Sequence, residues 1–277
     1  MTRLQLIMAA LAASGPAAAA DKEGQLIEIR VYYAAKGKLD ALNARFRDHT
    51  CNLFEKHGIA NVGYFVPTDP TDERLIYMIA HKDRAARDAS FKAFGADPEW
   101  KKAAAESEKD GKLVAGIDYF FVRATDYSPP AVATTGAGGV YELRTYLASP
   151  NNLPNLNARF REHTCKLFES HGMTNVAYWN LDADDTATAG KLLKALSPVG
   201  KEKSEVDEKA PAAPLALVYL LAHKSEDAAK ASWDGFRKDP KWVEARTNSE
   251  TTAGGMLTAK DGVKSLYLKA TDYSPMK

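Results

Sequence analysis

The sequence is poor in the features that mark several large functional classes. Its 277 residues contain two cysteines, Cys51 and Cys165, which are too few for a disulfide framework. The 37 lysines and arginines are balanced by 36 aspartates and glutamates, so no net charge attracts nucleic acid or an anionic membrane. No H-E-x-x-H or C-x-x-C spacing, phosphate loop or dinucleotide fingerprint is present. We therefore expect no metal, no cofactor and no nucleic-acid partner.

Long apolar runs are also scarce, and the clearest one lies at the N-terminus. Arg3 precedes the run LQLIMAALAA at Leu4–Ala13, and Ala17–Ala20 supplies a small-residue A-x-A site before Asp21. This order is typical of a secretory signal peptide, and the run is too short to span a bilayer. A buried N-terminal helix is the alternative. We predict that residues 1–20 are a signal peptide, that the mature chain has no membrane span, and that it is secreted or periplasmic.

The most informative feature present is a duplication. The segment NARFRDHTCNLFEKHG at 43–58 recurs as NARFREHTCKLFESHG at 157–172, with three of sixteen positions changed. Other segments recur in the same order: IEIRVY at 27–32 with YELRTY at 141–146, IYMIAHKD at 76–83 with VYLLAHKS at 218–225, SFKAFGADPEW at 90–100 with SWDGFRKDPKW at 232–242, and ATDYSP at 124–129 and 270–275. We therefore predict two related domains, residues 25–129 and 139–277, joined by a linker at 130–138.

The second copy contains an insertion. The distance between matched segments grows from 114 to 142 residues within it, which locates 28 additional residues around 182–214. The segment is rich in Asp, Ala, Lys and Pro, so we interpret it as an exposed excursion with a helical turn at Lys191–Leu196. On this interpretation the insertion is dispensable for folding.

Each copy has the pattern of an α+β unit with the order β-α-β-β-α-β. In the first strand, Ile27, Ile29 and Val31 alternate with polar residues, as in a strand with two unlike faces. The next segment has apolar residues at helical spacing, and two strands, a second helix and a last strand follow. This order is that of a ferredoxin-like unit.

A ferredoxin-like unit has helices on one face of its sheet only. The other face must also be covered, because an apolar sheet face in water is unstable. We predict that the two copies cover each other as an intramolecular dimeric α/β barrel and that the chain is a monomer.

The repeated motifs resemble those of the NIPSNAP family. They are YELRTY on the first strand, F-R-[DE]-H-T and E-[KS]-H-G on the first helix, V-[GA]-Y-[FW] on the second strand, Y-x-[IL]-A-H-K-[DS] on the third, D-P-[EK]-W and T-D-Y-S-P. The resemblance covers both copies apart from the linker and the insertion. It implies a dimeric α/β-barrel fold of ferredoxin-like units, and it implies no particular reaction.

The polar face of the first strand holds the main candidate site residues. If the apolar set packs on the helices, the polar set points into the barrel interior. One interpretation is a Glu–Arg network that satisfies itself, because buried charges are rarely unpaired. The other is a pocket in which arginine and tyrosine bind an anionic or carbonyl-bearing ligand. The candidates are Glu28, Arg30 and Tyr32, their counterparts Glu142, Arg144 and Tyr146, and Tyr64 and Tyr178 on the second strands.

His49 and His163 are further candidates, on the first helix of each copy. We expect them to be partly buried and hydrogen-bonded, with a structural role. Cys51 lies two residues from His49, and side chains at that separation do not face each other on a helix, which disfavours a nucleophilic cysteine.

Two functions are compatible with these residues. The first is a small-ligand-binding or interaction module, with an unidentified small molecule or protein as its partner. The second is an oxygenase-like enzyme of the dimeric α/β-barrel group, a hypothesis that rests on fold analogy. A haem-dependent version would need an axial histidine inside the barrel, whereas His49 and His163 are expected on helices outside the sheets.

Overall fold

The computed structural model describes residues 25–129, 139–200 and 215–276. The predicted signal peptide (1–20) and linker (130–138) lie outside these residues, as does the 201–214 part of the insertion.

The first half contains four strands and two pairs of consecutive helices, in the predicted order. A π-helical turn at Phe46–Thr50 joins two short α-helices, and the Thr50 hydroxyl donates to the Arg45 carbonyl oxygen five residues earlier. The elements are β1 (Leu26–Ala34), α1 (Leu39–Arg45), α2 (Cys51–Lys56), β2 (Ala60–Pro67), β3 (Arg74–His81), α3 (Arg84–Ala96), α4 (Pro98–Ser107) and β4 (Val114–Ala124).

The second half repeats this order and adds one helix. A π-helical turn again follows the first helix, at Phe160–Thr164, and a 3-10 helix at Ala183–Thr188 precedes the additional helix α7. The elements are β5 (Val140–Ala148), α5 (Leu153–Arg159), α6 (Cys165–Ser170), β6 (Thr174–Leu181), α7 (Ala189–Ala195), β7 (Ala216–His223), α8 (Glu226–Lys238), α9 (Pro240–Thr252) and β8 (Thr258–Ala270).

The eight strands close into one barrel with the order β1-β3-β2-β8-β5-β7-β6-β4. Within each half the strands pair antiparallel in the ferredoxin-like order. The halves meet at two short seams, β2 with β8 and β4 with β6, where each half supplies the edge that the other lacks. The prediction of an intramolecular α/β barrel is confirmed.

The apolar side chains of the first strand face the barrel interior. Ile27, Ile29 and Val31 belong to one buried cluster with Leu143 of β5. The outer face of each sheet packs on the helices of its own half. This packing forms two separate apolar cores, one in the first half, which contains Tyr77, and one in the second half. The expectation that the polar set points into the barrel was therefore wrong. An eight-stranded barrel is just wide enough to be filled by side chains, so its interior takes the apolar set.

The insertion packs on the barrel instead of projecting into solvent. Leu192, Leu193 and Leu196 are fully buried and join the apolar cluster of the barrel interior. The predicted helical turn is present as α7, but the interpretation as an exposed excursion was wrong for its described part, 182–200. The polar composition of the segment concealed this small apolar face, which covers apolar side chains that water would otherwise reach.

Three arginines of the first half fasten the insertion at both ends. Arg84 donates to Asp182 at 3.0 Å and to Asp185 at 2.5 Å, and Arg123 donates to Asp182 at 2.6 Å. At the other end, Arg74 donates to the carbonyl oxygens of Ala195 and Ser197, at 2.6 and 3.0 Å. These bonds satisfy carbonyl groups at the end of α7, so the second-half insertion is held by first-half side chains.

Candidate functional site

A cluster of charged side chains lies on the outer face of the first-half sheet, beneath α3. Glu28 on β1 is fully buried, and its carboxylate accepts hydrogen bonds from Arg30 Nη1 and from the ring of His81 at 3.2 Å. Arg87 on α3 donates to both carboxylate oxygens, from Nε and Nη2, at 3.0 Å each. We call Glu28, Arg30, His81 and Arg87 the first-half cluster.

Two arginines of this cluster share one buried carboxylate. Burial alone would raise the pKa of Glu28, but the bonds from His81 and Arg87 and the charge of Arg30 lower it to about 2. Asp88 contacts Arg87 Nη1 at 3.1 Å from the solvent side, and 74% of its side chain is exposed, so water screens this pair. The Nε of Arg30 has no hydrogen-bond partner in the described structure. The buried part of the cluster therefore carries more positive than negative charge.

Aromatic rings surround the guanidinium of Arg30. Its central carbon lies 4.9 Å from the ring centre of Phe91 and 5.5 Å from those of Tyr32 and Tyr119. Tyr119 is 48% exposed and its neighbour on the same face, Ile117, is 44% exposed. They pair in register with Arg30 and Tyr32 respectively, so this part of the sheet face is open to solvent beside the cluster.

The second-half cluster uses the same carboxylate with different partners. Glu142 accepts from Arg144 at 2.5 Å, from the ring of His223 at 3.0 Å, from Trp233 Nε1 at 2.7 Å, and from the Ser265 hydroxyl. Burial would raise its pKa, and His223 and Arg144 lower it to about 2. We call Glu142, Arg144, His223 and Trp233 the second-half cluster.

One position explains why the two clusters differ in charge. The counterpart of Arg87 is Ala229, which is fully buried, and neutral Trp233 and Ser265 supply the remaining hydrogen bonds to Glu142. The second-half cluster thus balances one arginine against one carboxylate. The interpretation as a self-satisfying Glu–Arg network describes this half well, whereas the first half has one arginine in excess.

Tyr64 and Tyr178 lie on the same face as the clusters but have another role. Tyr64 stacks on Tyr77, which separates it from Tyr32, and its hydroxyl bonds the Asn61 side chain. Asn61 in turn donates to the Cys51 carbonyl oxygen at 3.0 Å, so this tyrosine ties β2 to α2. Tyr178 makes the matching bond in the second half, to Asn175.

His49 and His163 lie away from both clusters. They are exposed on the π-helical turns, where the wider turn places them on the outer surface. The expectation of partly buried, hydrogen-bonded histidines was wrong for this pair. It describes His81 and His223 instead, which are buried and bonded to the cluster carboxylates.

Cys51 and Cys165 are free thiols that pack against the helix cores. Burial raises the pKa of each thiol to about 11, which keeps both in the unreactive protonated form near neutral pH. In the described ranges no three His, Cys, Asp or Glu side chains are arranged to hold a metal ion. In those ranges no helix is long and apolar enough to cross a membrane.

A pocket of about 500 Å³ lies between the insertion and the first half, near the ends of β1 and β3. Several of its polar side chains have partners: Asp118 accepts from Tyr33 at 3.0 Å and pairs with Lys191 at 2.7 Å, and Arg74 binds Asp72. Since these pairs satisfy each other, the excess arginine of the first-half cluster marks the better candidate site.

Sequence reasoning found Glu28, Arg30 and Tyr32 and missed the residues that complete their site. His81, Arg87, Phe91 and Tyr119 come from three other elements, and only the register of the sheet and the packing of α3 bring them together. One signal was available for His81: it stands in the repeated A-H-K motif, at the end of a strand.

Residues 27–129 match the NIPSNAP family model. A comparison with curated protein sequences finds no match. Among solved structures, the chain is similar to a protein of Lactobacillus acidophilus NCFM described as a candidate monooxygenase, with a TM-score of 0.50 and 10% identity over 90% of this chain and 94% of that one. At this identity the similarity concerns the fold.

Two solved structures of NIPSNAP proteins match a single half. A NIPSNAP-like domain protein of Burkholderia xenovorans has 16% identity and a TM-score of 0.35, and the match covers 39% of this chain and 91% of that one. A NIPSNAP family protein of Agrobacterium tumefaciens str. C58 has 20% identity and a TM-score of 0.35, with coverage of 39% and 96%.

Proposed function

Starting from the NIPSNAP domain at residues 27–129, we propose that this protein is a small-ligand-binding module that holds a planar anionic molecule at the first-half cluster. One observation carries the proposal: Arg30 and Arg87 share the single buried carboxylate of Glu28 beside an exposed aromatic rim. In the second half, Ala229 takes the place of Arg87 and Ser265 takes the place of Tyr119, and the partly exposed Tyr267 pairs in register with Glu142 instead of with the arginine.

The charge of the cluster supports an anionic ligand. A guanidinium binds a carboxylate through parallel N–H donors, and such charge-assisted bonds are stronger than neutral ones. Arg87 is 18% exposed at its side chain, so a ligand carboxylate can compete with the exposed Asp88 for Nη1 while Nε and Nη2 keep their bonds to Glu28. A ligand carboxylate here would offset the excess positive charge.

The rings support a planar ligand. Tyr119 and Ile117 present apolar surface to solvent on the strand that carries no helix above it, and Phe91 and Tyr32 flank Arg30. A flat apolar body would cover this surface, with a free energy of roughly 25 cal/mol per Å² of apolar area removed from water. Aromatic carboxylates combine the two requirements.

An oxygenase-like enzyme is the alternative. It is supported by the fold that the chain shares with the candidate monooxygenase of Lactobacillus acidophilus, and at 10% identity that fold transfers no residue role. We therefore keep binding, without a reaction, as the proposal.

We further propose that the mature protein is an exported monomer. The N-terminal residue order supports export, and the closed barrel supports a monomer because the halves already cover each other's apolar sheet faces. N-terminal sequencing of protein from the cell envelope should begin close to Asp21, and sedimentation should give the mass of one chain. A retained Met1, or a stable dimer at micromolar concentration, would contradict the respective proposal.

The test of binding uses 2-naphthoate as the probe, titrated by calorimetry into the chain from residue 21 onward. Arg87→Ala, which copies the second half, should weaken binding at least tenfold, since a charge-assisted hydrogen bond contributes about 1.5–3 kcal/mol. Tyr119→Ser, which copies Ser265, should also weaken it. Lys230→Ala removes an exposed charge from α8 and serves as the control, with unchanged affinity expected. Equal affinity of the Arg87→Ala variant and the control would refute the proposed site.

A further inference from the structure

The second half contains a groove that the first half has only in a reduced form. It lies between the helix pair around α5 and helix α9 and has a volume of about 480 Å³. The matching groove of the first half, between α1 and α4, has about 300 Å³. We call them the second-half groove and the first-half groove.

A buried arginine lines each groove, and the two arginines are paired differently. In the first half, Arg45 forms a salt bridge with Glu108 at 3.0 Å. In the second half, Arg159 is 5% exposed and forms a longer salt bridge with the matching Glu250, at 3.5 Å, and its Nη1 lies equally far from Ser249 Oγ, at the outer limit of a hydrogen bond. The Nε atoms of Arg45 and Arg159 have no partner in the described residues. Arg159 is thus a buried cation with longer contacts than Arg45, and its Nε has no partner among the described residues.

The polar residues of the second-half groove differ from those of its counterpart. Asn155 replaces Ala41, and Asn248 replaces Glu106, so two amides stand where the first half has a methyl group and a carboxylate. Lys241, at the position of Glu99, adds a positive charge to the lining, and Glu244, at the position of Lys102, adds a negative one. These two exchanges offset each other in charge, so the two amides and the weakly paired Arg159 are the features that favour a polar, singly charged occupant.

The remaining lining residues restrict the charge of that occupant. Glu162 and Glu244 also line the groove and place negative charge near its rim. They disfavour an anion with two or three charges, such as phosphate or sulfate, because like charges repel across a short distance. The hydroxyl groups of Ser249 and Thr252 add further hydrogen-bonding partners for a ligand that carries hydroxyl groups itself.

We propose that the second-half groove binds a hydroxylated monocarboxylate, such as a sugar acid, whose carboxylate pairs with Arg159. The amides of Asn155 and Asn248 and the hydroxyls of Ser249 and Thr252 bond the hydroxyl groups of the ligand. This site is separate from the first-half cluster in position and in ligand chemistry. The aromatic ring next to its arginine is that of Trp242, which Arg159 itself covers.

The test uses D-gluconate, titrated by calorimetry into the mature chain. D-Glucose, which lacks the carboxylate, and sulfate, which lacks hydroxyl groups, should each bind at least tenfold more weakly than gluconate. Asn248→Glu, which copies Glu106 of the first half, should reduce the affinity for gluconate at least tenfold. Lys238→Glu, an exposed change of charge on α8, is the control for general electrostatics and should leave the affinity within twofold.

Arg159→Met tests the central contact but removes a buried cation beside Trp242, so its fold must be checked by circular dichroism. Asn248→Glu lies on the surface and keeps the test valid if Arg159→Met does not fold. Arg87→Ala should leave gluconate binding unchanged, which separates this site from the first-half cluster. No gluconate binding by the unmodified chain, equal binding of glucose, or full affinity in Asn248→Glu would each overturn the proposal.

Discussion

Glu28 and Glu142 occupy equivalent places in the two halves, and each is buried on the outer face of its sheet. Around Glu28 stand Arg30, Arg87 and a histidine, while around Glu142 stand Arg144, a histidine and the neutral donors Trp233 and Ser265. A buried carboxylate is stable in both places because each one accepts several hydrogen bonds. The charge of those donors differs. The charges of the second-half cluster are therefore balanced, whereas the first-half cluster has a surplus cation.

The barrel ends show the second difference between the halves. Between β2 and β3 the first half has a short turn, whereas the second half inserts α7 between β6 and β7 and buries its leucines against the barrel interior. The duplication gives the two halves the same fold. The first half is distinguished by its charged cluster, and the second half by its groove and its insertion.

Removal of the insertion should have the largest effect. Replacing 182–214 by the first-half turn 68–72 exposes the surface covered by Leu192, Leu193 and Leu196, and each fully buried leucine contributes about 1.5–3 kcal/mol. We expect the free energy of unfolding to fall by about 5 kcal/mol or more, measured by urea denaturation. Leu193→Ala alone should cost about 2–5 kcal/mol. A shortened chain as stable as the parent would mean that α7 does not cover the barrel.

Arginine-to-methionine changes should affect the two clusters unequally. Arg144→Met leaves Glu142 buried without an arginine partner, and breaking such a pair costs about 3–5 kcal/mol. Arg30→Met leaves Glu28 paired with Arg87, so we expect about half that loss. Urea denaturation of both variants at neutral pH measures the difference. Equal losses would show that Arg87 does not compensate for Arg30.

Acid should destabilise the protein through both carboxylates. Their pKa values in the folded protein are about 2, below the ordinary 4.5. As the pH falls, the unfolded chain therefore binds protons before the folded protein does. Stability is lost as the pH falls from about 4.5 to about 2. Each carboxylate contributes on the order of 3 kcal/mol when the loss is complete. Arg87→Ala should move the first-half part of this loss to higher pH, because Glu28 then loses two hydrogen bonds.

Denaturation at several pH values between 6 and 2.5 measures this effect. Lys230→Ala is the control, since Lys230 is exposed, pairs with Asp227 on α8 and should not change the profile. An acid profile of the Arg87→Ala variant identical to that of the parent chain would contradict the pairing of Arg87 with Glu28.

Much of the fold could be predicted from the sequence, because it depends on local patterns and on the repeat. The alternation in 27–32 and the helical stripe before Gly58 indicate local structure, and the duplication implies closure of the barrel. Which face of the first strand points into the barrel could not be predicted in this way. Both of its faces are buried in a closed barrel, so alternation alone does not tell which side the helices cover.

The candidate site depended on contacts that no local pattern reports. His81 reaches Glu28 across 53 residues and Arg87 across 59. The decisive exchange of Arg87 for Ala229 lies between two matched segments, 76–83 and 90–100, where the repeat is not visible by eye. The insertion was misjudged for a related reason, since three leucines within a polar segment form an apolar face only once they are helical.

The surplus cation of the first-half cluster is tested most directly by a crystal structure of the chain from residue 21 onward with 2-naphthoate. We expect the naphthoate carboxylate within hydrogen-bonding distance of Arg30 or Arg87, with the rings against Tyr119, and no naphthoate at Glu142 and Arg144. Equal occupancy at both clusters, or occupancy of the second-half cluster alone, would contradict the claim that a surplus cation distinguishes the first half.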